Sequence, residues 1–293
     1  MKLQLDWLPN AQFAGVVYAD YLGWYKREGI NLEIIPWQAF LNQMDLLDLD
    51  ENYVVSTEDN LFLRARGNGK PVKAIGTMMQ YSGIGWMMLK KSGYQELSDL
   101  RGKRIGIHTD GELAIDIALA HYGMTRKDVE ILEVGFDYVG LLARNEIDAM
   151  QCNIMIEPLE MEALGFELNV IRGYDLGYEV YSQVIVTTEK LINNYPEKLS
   201  RFLKVTFDGW RKAFENPQEV AEIIVTNYLR EGKSALQKQM LLAMRPIIEG
   251  KVGLDKLGIM EAERWQTSIN YLAQNNMLQK PLVAEEVMTN QFL

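Results

Sequence analysis

The chain opens on alternation. Residues 2–6 read Lys-Leu-Gln-Leu-Asp, with every second position apolar, which is the period of a half-buried strand. The turn Trp7-Leu8-Pro9-Asn10 follows, and over 11–22 the apolar residues Phe13, Val16, Val17, Tyr18, Tyr21 and Leu22 recur at helical spacing. Gly23 breaks that pattern, residues 24–28 add a short turn, and Gly29 ends it before a second strand over 31–35. Strand, helix and strand in this order predict a parallel pair with a right-handed crossover. Ligands of such sheets sit beyond the carboxyl ends of the strands, which places Asp6, Trp7 and Asn10 at the expected position.

The same two periods continue along the chain. They predict a helix over 42–49, a strand over 53–56, a helix over 58–66 that Thr57 is placed to cap, and a strand over 72–79. Tyr81-Ser82-Gly83-Ile84-Gly85 reads as a crossing, followed by a strand over 86–89 and a linker turn over 93–100. The pattern then restarts, with strands over 103–108, 129–134, 147–152 and 166–171. Helices over 113–122, 138–145 and 158–164 alternate with them, the first opened by the loop Thr109-Asp110-Gly111-Glu112. Residues 173–186 read as an extended return, and after Pro196 the pattern is helical, over 197–214, 217–228, 234–248 and 261–275. This is an α/β chain of two lobes, each a mostly parallel sheet flanked by helices, joined by two crossover hinge strands. Lobe one is expected over 1–82 and 180–293, discontinuous, and lobe two over 83–179, with the ligand expected in the cleft between them.

Composition removes several alternatives. The 293 residues are 48% apolar and 24% charged, as in an ordinary globular protein. A net charge of −10 argues against nucleic acid or an anionic membrane as partner. No apolar run approaches the ~18 residues of a membrane span. Cys152 is the only cysteine, so neither an internal disulfide framework nor a thiolate zinc site is expected. No basic segment, apolar core and small-residue cleavage site precedes the first strand. Two localisations follow: the cytoplasm if the chain is native as given, or the periplasmic or extracellular face if it is a mature form.

Catalytic patterns are scarce. His108 and His121 are the only histidines, without metal-ligand spacing. His121 suits a helix end, where the dipole favours a cation. His108 ends a second-lobe strand on the ligand side. Cys152 has no basic neighbour in sequence and reads as a small buried apolar residue. The strand ends offer a binding set instead: Trp7, Asn10, Trp37, Glu58, Asp59 and Tyr81 in lobe one, Asn153 and Glu157 in lobe two, and Tyr178, Glu179 and Tyr181 on the return crossing. Asn10 serves as a helix cap or as a contact, Trp37 as a contact or a lid over core, and Glu58 and Asp59 as contacts or as first-turn charges. Aromatic faces stack on a flat ring, and carboxylates with amides accept from ring N–H and amino groups. With no Arg or Lys at a strand end near the cleft, the set suits a planar, donor-rich heterocycle better than sulfonate or nitrate.

Asp6-Trp7-Leu8-Pro9-Asn10, followed by Gly23-Trp24-Tyr25-Lys26-Arg27-Glu28-Gly29-Ile30, resembles the opening of thiamin-pyrimidine-type periplasmic binding proteins. Their relatives include the yeast-type pyrimidine synthase of thiamin synthesis and the alkanesulfonate and nitrate binders. Ala65-Arg66-Gly67 before Pro71-Val72, Leu100-Arg101-Gly102-Lys103-Arg104-Ile105-Gly106, Asp116 with His121-Tyr122-Gly123-Met124, Asn145-Glu146-Ile147-Asp148-Ala149 and Tyr195-Pro196-Glu197-Lys198 extend the likeness, in the family's order, over roughly residues 3–230. The resemblance implies a two-lobe (type II) periplasmic-binding-protein-like fold closing on a small molecule. The synthase carries a lysine on its third strand, a histidine shortly after and a cysteine-rich run before the C-terminal helices. Here the matching strand reads Tyr53-Val54-Val55-Ser56, the histidine position falls near Asp59, and Glu179-Val180-Tyr181-Ser182-Gln183 replaces the cysteines. The expectation is a solute-binding domain without catalysis or cofactor, capturing a thiamin-precursor pyrimidine and handing it to an ABC importer permease. The alternatives are the ligand-sensing domain of a signalling receptor, a kinase or cyclase fused to the same lobes, and a cytosolic synthase-like enzyme.

Overall fold

The structure is a computed structural model and describes residues 1–39, 41–108, 111–135, 137–229 and 232–293, so Thr109 and Asp110 of the expected helix-opening loop lie outside the described residues. It divides into two compact units, Met1–Tyr81 with Val180–Leu293, and Ser82–Glu179. The strands in chain order are β1 (Lys2–Gln4), β2 (Glu33–Ile35), β3 (Tyr53–Thr57), β4 (Val72–Met79), β5 (Ile84–Leu89), β6 (Arg104–Ile107), β7 (Glu130–Glu133), β8 (Ala149–Asn153), β9 (Leu168–Arg172) and β10 (Ser182–Thr188).

The first unit's sheet has the order β2-β1-β3-β10-β4. β1 pairs in parallel with β2 and β3, whereas β10 is antiparallel to both β3 and β4. Four strands therefore point one way, and their carboxyl ends share one edge with the amino end of β10. The central strands are covered on both faces, so β3 and β10 read as near-continuous β-branched runs rather than alternations. Met44, Phe62, Leu63, Val184, Val186, Trp265 and Ile269 pack into a core that joins this sheet to the C-terminal helices. The second unit repeats the plan with the order β7-β6-β8-β5-β9, β5 being the antiparallel strand. Its core gathers Met87, Leu142, Ile147, Met150, Cys152 and Met161.

Several elements differ from the sequence reading. The helix expected over 11–22 is a 3-10 turn, Ala11–Phe13, followed by the helix Ala14–Tyr21. Thr57 caps nothing: it is the last residue of β3, fully buried, and the helix begins at Asp59 after Glu58. The return over 173–186 is not extended throughout. Gly173–Leu176 forms a 3-10 turn closed by Gly177 at φ +98°, and only from Ser182 is the chain a strand. The helix after Pro217 ends at Ile223 and continues as a π-helix over Ile224–Tyr228. Two short helices, Glu189–Asn194 and Ala284–Val287, have too few turns to leave a period in the sequence.

Candidate functional site

The carboxyl edge of the first unit's sheet is assembled from backbone upward. The buried Gln4 turns its Nε2 to the carbonyls of Leu5 at 3.0 Å, Ile35 at 3.3 Å and Pro36 at 3.0 Å, fastening the ends of β1 and β2 together. The Trp37 N–H then donates to the Trp7 carbonyl at 3.2 Å. The two indoles lie with ring centroids 5.3 Å apart, tilted by 37°, and both are half-buried. The edge thus holds a pair of large flat surfaces in contact with each other and with water.

Beside them is a cluster of acceptors. Asp6 follows β1, and in the β1–β3 register it comes level with Thr57. Its Oδ1 is buried without a hydrogen-bond partner. Burial lifts its pKa to about 6, opposed by the nearby Ser56 hydroxyl, which stands close but out of hydrogen-bonding geometry, and by the Asp6 N–H. Thr57 Oγ1, Asn60 Oδ1 and Gln183 Oε1 are also buried without partners. Among the described residues, every buried side-chain oxygen in that condition (Asp6, Ser56, Thr57, Asn60 and Gln183) belongs to a residue at this end of the sheet, Ser56 and Thr57 facing opposite sides of β3. Native proteins pair nearly all such atoms, so a cluster of exceptions marks a place where something else supplies the partner. Glu58 accepts from the Ser182 hydroxyl at 2.8 Å, and Gln183 Nε2 meets Gln12 Oε1 at 3.4 Å.

The structure distributes the other first-unit candidates differently. Asn10 caps the Ala11–Phe13 turn, its Oδ1 accepting from Gln12 N at 2.9 Å, and is buried. Asp59 is 3% exposed, accepts from the Ser268 hydroxyl and from the Asn60 N–H, and is lifted by burial to about 6. Tyr181 is a core residue: its hydroxyl accepts from Glu261 N at 2.7 Å and its ring packs on Trp265. Arg264 is a cation from outside the strand ends. The helix Ala262–Gln274 delivers its guanidinium 3.9 Å from the Tyr181 ring centre and 5.2 Å from that of Tyr81. It also donates to the Gln80 side-chain oxygen at 3.1 Å and to the Gln80 carbonyl, at the end of β4. A count restricted to strand-end residues cannot see a side chain brought in from a remote helix.

In the second unit, Glu157 opens the helix Glu157–Ala163 and accepts from Asn153 N at 2.8 Å, while Asn153 Oδ1 accepts from Met155 N at 3.2 Å. Burial raises Glu157 to about 7. The buried Gln151 accepts from His108 N at 3.1 Å, and His108 Nδ1 lies 3.3 Å from the Val134 carbonyl. A Cβ on Gly111 would stand 1.8 Å from Gln151 Oε1, so a larger residue there would displace the Gln151 amide from His108 N. Tyr178 is buried and Glu179 partly buried, the last residues before the chain returns to the first unit. Cys152 is buried and its thiol pKa is raised by burial. Among the described residues, no three His, Cys, Asp or Glu side chains are grouped to hold a metal ion, and no helix is long and apolar enough to cross a membrane. A separate groove of about 520 Å3 runs along the helices Trp24–Arg27 and Pro196–Glu215. Lys204 and Arg211 there are both paired with Asp208.

The family model described as NMT1/THI5 like matches residues 10–220. The chain belongs to this family. Over 306 aligned residues it is 26% identical to the riboflavin-binding protein RibY of Chloroflexus aurantiacus, covering 100% of this chain and 86% of that protein. It is 22% identical to a formylaminopyrimidine-binding protein of Halalkalibacterium halodurans, covering 99% and 89%. An enzyme is also among its relatives, a 4-amino-5-hydroxymethyl-2-methylpyrimidine phosphate synthase of Legionella pneumophila, 27% identical over 76% of this chain and 72% of that one. The periplasmic aliphatic sulphonate binding protein SsuA from Escherichia coli superposes with a TM-score of 0.81 at 12% identity, covering 99% of this chain and 91% of that chain. The expected periplasmic-binding-protein fold is therefore the one this family member has, and at that identity the likeness speaks to fold alone.

Of the residues that make the first-unit edge, Trp7, Trp37 and Glu58 are legible from sequence, whereas Gln12, Ser56, Thr57, Asn60, Gln183 and Arg264 are not. The one available signal is the polar pair Ser182-Gln183 immediately before the apolar run Val184-Ile185-Val186.

Proposed function

We propose that the chain is an extracytoplasmic solute-binding domain that captures a planar heterocycle bearing N–H donors, a thiamin-precursor pyrimidine first among them, and hands it to an ABC importer without covalent chemistry. The observation that carries this reading is the clustering of unpartnered buried oxygens beside the Trp7–Trp37 rings. A flat ring with amino or N–H groups would stack on the indoles and give those oxygens the donors they lack. The riboflavin and formylaminopyrimidine named for two relatives are both planar nitrogen heterocycles. Arg264 does not turn the edge towards anions, because its guanidinium is engaged by Gln80 and two tyrosine rings. Binding without catalysis is favoured over a synthase by Tyr53-Val54-Val55-Ser56, which has no lysine on the strand where the yeast-type enzyme carries one.

Melting temperature measured against thiamin, its aminopyrimidine precursors, riboflavin, an alkanesulfonate and nitrate tests the proposal. A ligand at ~100 times its dissociation constant adds about 2.7 kcal/mol of stability, well above the resolution of the measurement. The N–H-bearing rings are expected to raise the melting temperature and the anions to leave it unchanged. Stabilisation by the anions alone would sink the reading.

A further inference from the structure

Gln183 is held in a conformation that its residue type disfavours. Its φ is +49°, in the left-handed region, and the other described non-glycine residues with positive φ, Asn145 and Asn276, are of the type that tolerates it. The flanking residues fix it there. Ser182 pairs with Met79 and Val184 with Thr77, the Thr77 hydroxyl donates to the Ser182 carbonyl at 2.9 Å, and Ser182 holds Glu58. Strain of this kind persists where the surroundings over-determine it, and it gathers at binding sites. The side chain it presents is 2% exposed. One end of the amide rests on Gln12, itself buried in the turn that Asn10 caps, and the other end, Oε1, has no partner.

We infer that Gln183 is a specificity-determining residue of the ligand edge, accepting through Oε1 a hydrogen bond from an N–H of the heterocycle, a ring N–H or an exocyclic amino group, with Gln12 as the residue that positions it. The inference rests on the heterocycle reading above and adds the group that recognises the ring's donor. A buried acceptor without a partner favours ligands that bring a hydrogen, because only those relieve its lost hydration. It disfavours the same ring alkylated at that nitrogen, which adds bulk and removes the donor. A side chain serving only the fold would have both amide ends paired within the chain.

The test uses the full chain with riboflavin, N3-methylriboflavin and a formylaminopyrimidine as probes, in the wild type and in Gln183→Gly and Gln12→Met. Glycine suits φ +49° but gives up the buried amide and its contact with Gln12, so relief of backbone strain and lost packing oppose each other and the melting temperature without ligand should change little, while the affinity for the N–H-bearing ligand drops about tenfold or more. N-methylation should weaken binding to the wild type and make little further difference in Gln183→Gly, the coupling expected when both changes delete one hydrogen bond. Gln12→Met should show an intermediate loss. If Gln183→Gly binds the N–H ring as the wild type does, or if methylation weakens both proteins equally, the role of Gln183 is wrong while the heterocycle reading stands. If the wild type binds none of the rings, both fall.

Discussion

Trp7 and Trp37 are half-buried indoles on a polar edge, and their placement is costly for a side chain with no partner, since each leaves apolar ring surface in water beside charged and amide groups. Replacing Trp7 with alanine should weaken binding of a ring ligand by roughly tenfold or more, because a stacked aromatic contact is worth about 0.5–1.5 kcal/mol beyond its buried area. Stability of the empty chain should change less than for a core tryptophan such as Trp86, which is fully buried. Quenching of intrinsic fluorescence by the ligand, titrated in both proteins, gives the comparison, and equal affinities would remove Trp7 from the site. This residue was legible because a tryptophan in a strand-to-helix turn has no core of its own to fill. Gln183 was not legible: its distinguishing properties are a positive φ and an unpaired oxygen, and both arise from strands that meet only in the folded chain. Glu179, which follows Tyr178 and precedes Val180-Tyr181, is partly buried at the return to the first unit.

At the level of elements, the turn that carries Asn10 and Gln12 runs directly into the helix Ala14–Tyr21, and that helix is set by its packing on Pro196–Glu215. The contact is made through missing side chains. A Cβ on Gly209 would lie 2.2 Å from the Gly15 carbonyl oxygen, and one on Gly15 would lie 2.3 Å from the Trp210 ring. Backbone cannot rotate away as a flexible side chain can, so Gly209→Ala must push the two helices apart. A cost of about 1–3 kcal/mol, the usual range for overpacking, is expected as a lowered denaturation midpoint. Because Gln12 sits in the 3-10 turn that leads directly into this helix, ligand affinity should fall as well, and an alanine variant with unchanged midpoint and affinity would show that the helices are not locked. The elements themselves were largely readable. β4 occupies residues 72–79 as its run of apolar and β-branched positions predicts, and the long amphipathic helices fall within two residues of their expected ends. What escaped was decided at a distance: β10 begins only where Ser182 finds Met79, and Arg264 belongs to the edge only because the helix Ala262–Gln274 packs beneath it.

For the molecule as a whole, the carboxyl groups fall into two sets with opposite effects on stability. Asp6 and Asp59 are raised to about 6 and Glu157 to about 7, in each case chiefly by burial. Such groups bind a proton more tightly in the folded chain than in the unfolded one, so their contribution is fully present below the unfolded value near 4 and is lost as pH rises through the folded value. Asp50 is held down to about 2, first by the Asn52 N–H and then by Lys2, and Asp99 and Asp128 are lowered by backbone N–H groups. Their contribution runs the other way, present above the unfolded value and lost as pH falls towards the folded one. The melting temperature of the empty chain is therefore expected to be higher at pH 5 than at pH 7.5, and to fall again below pH 4. Ligand binding should follow a different course. If Asp6 accepts from an amino or ring N–H of the ligand as a carboxylate, protonation below about pH 6 removes that acceptor, so the ligand-induced rise in melting temperature shrinks over the range in which the empty chain gains stability. Asp6→Asn separates the two effects: it cannot titrate, so the ligand-induced rise should lose its dependence on pH between 5 and 7.5. A rise that keeps its full pH dependence in this variant would place the controlling proton elsewhere, with Glu157 the next group to replace.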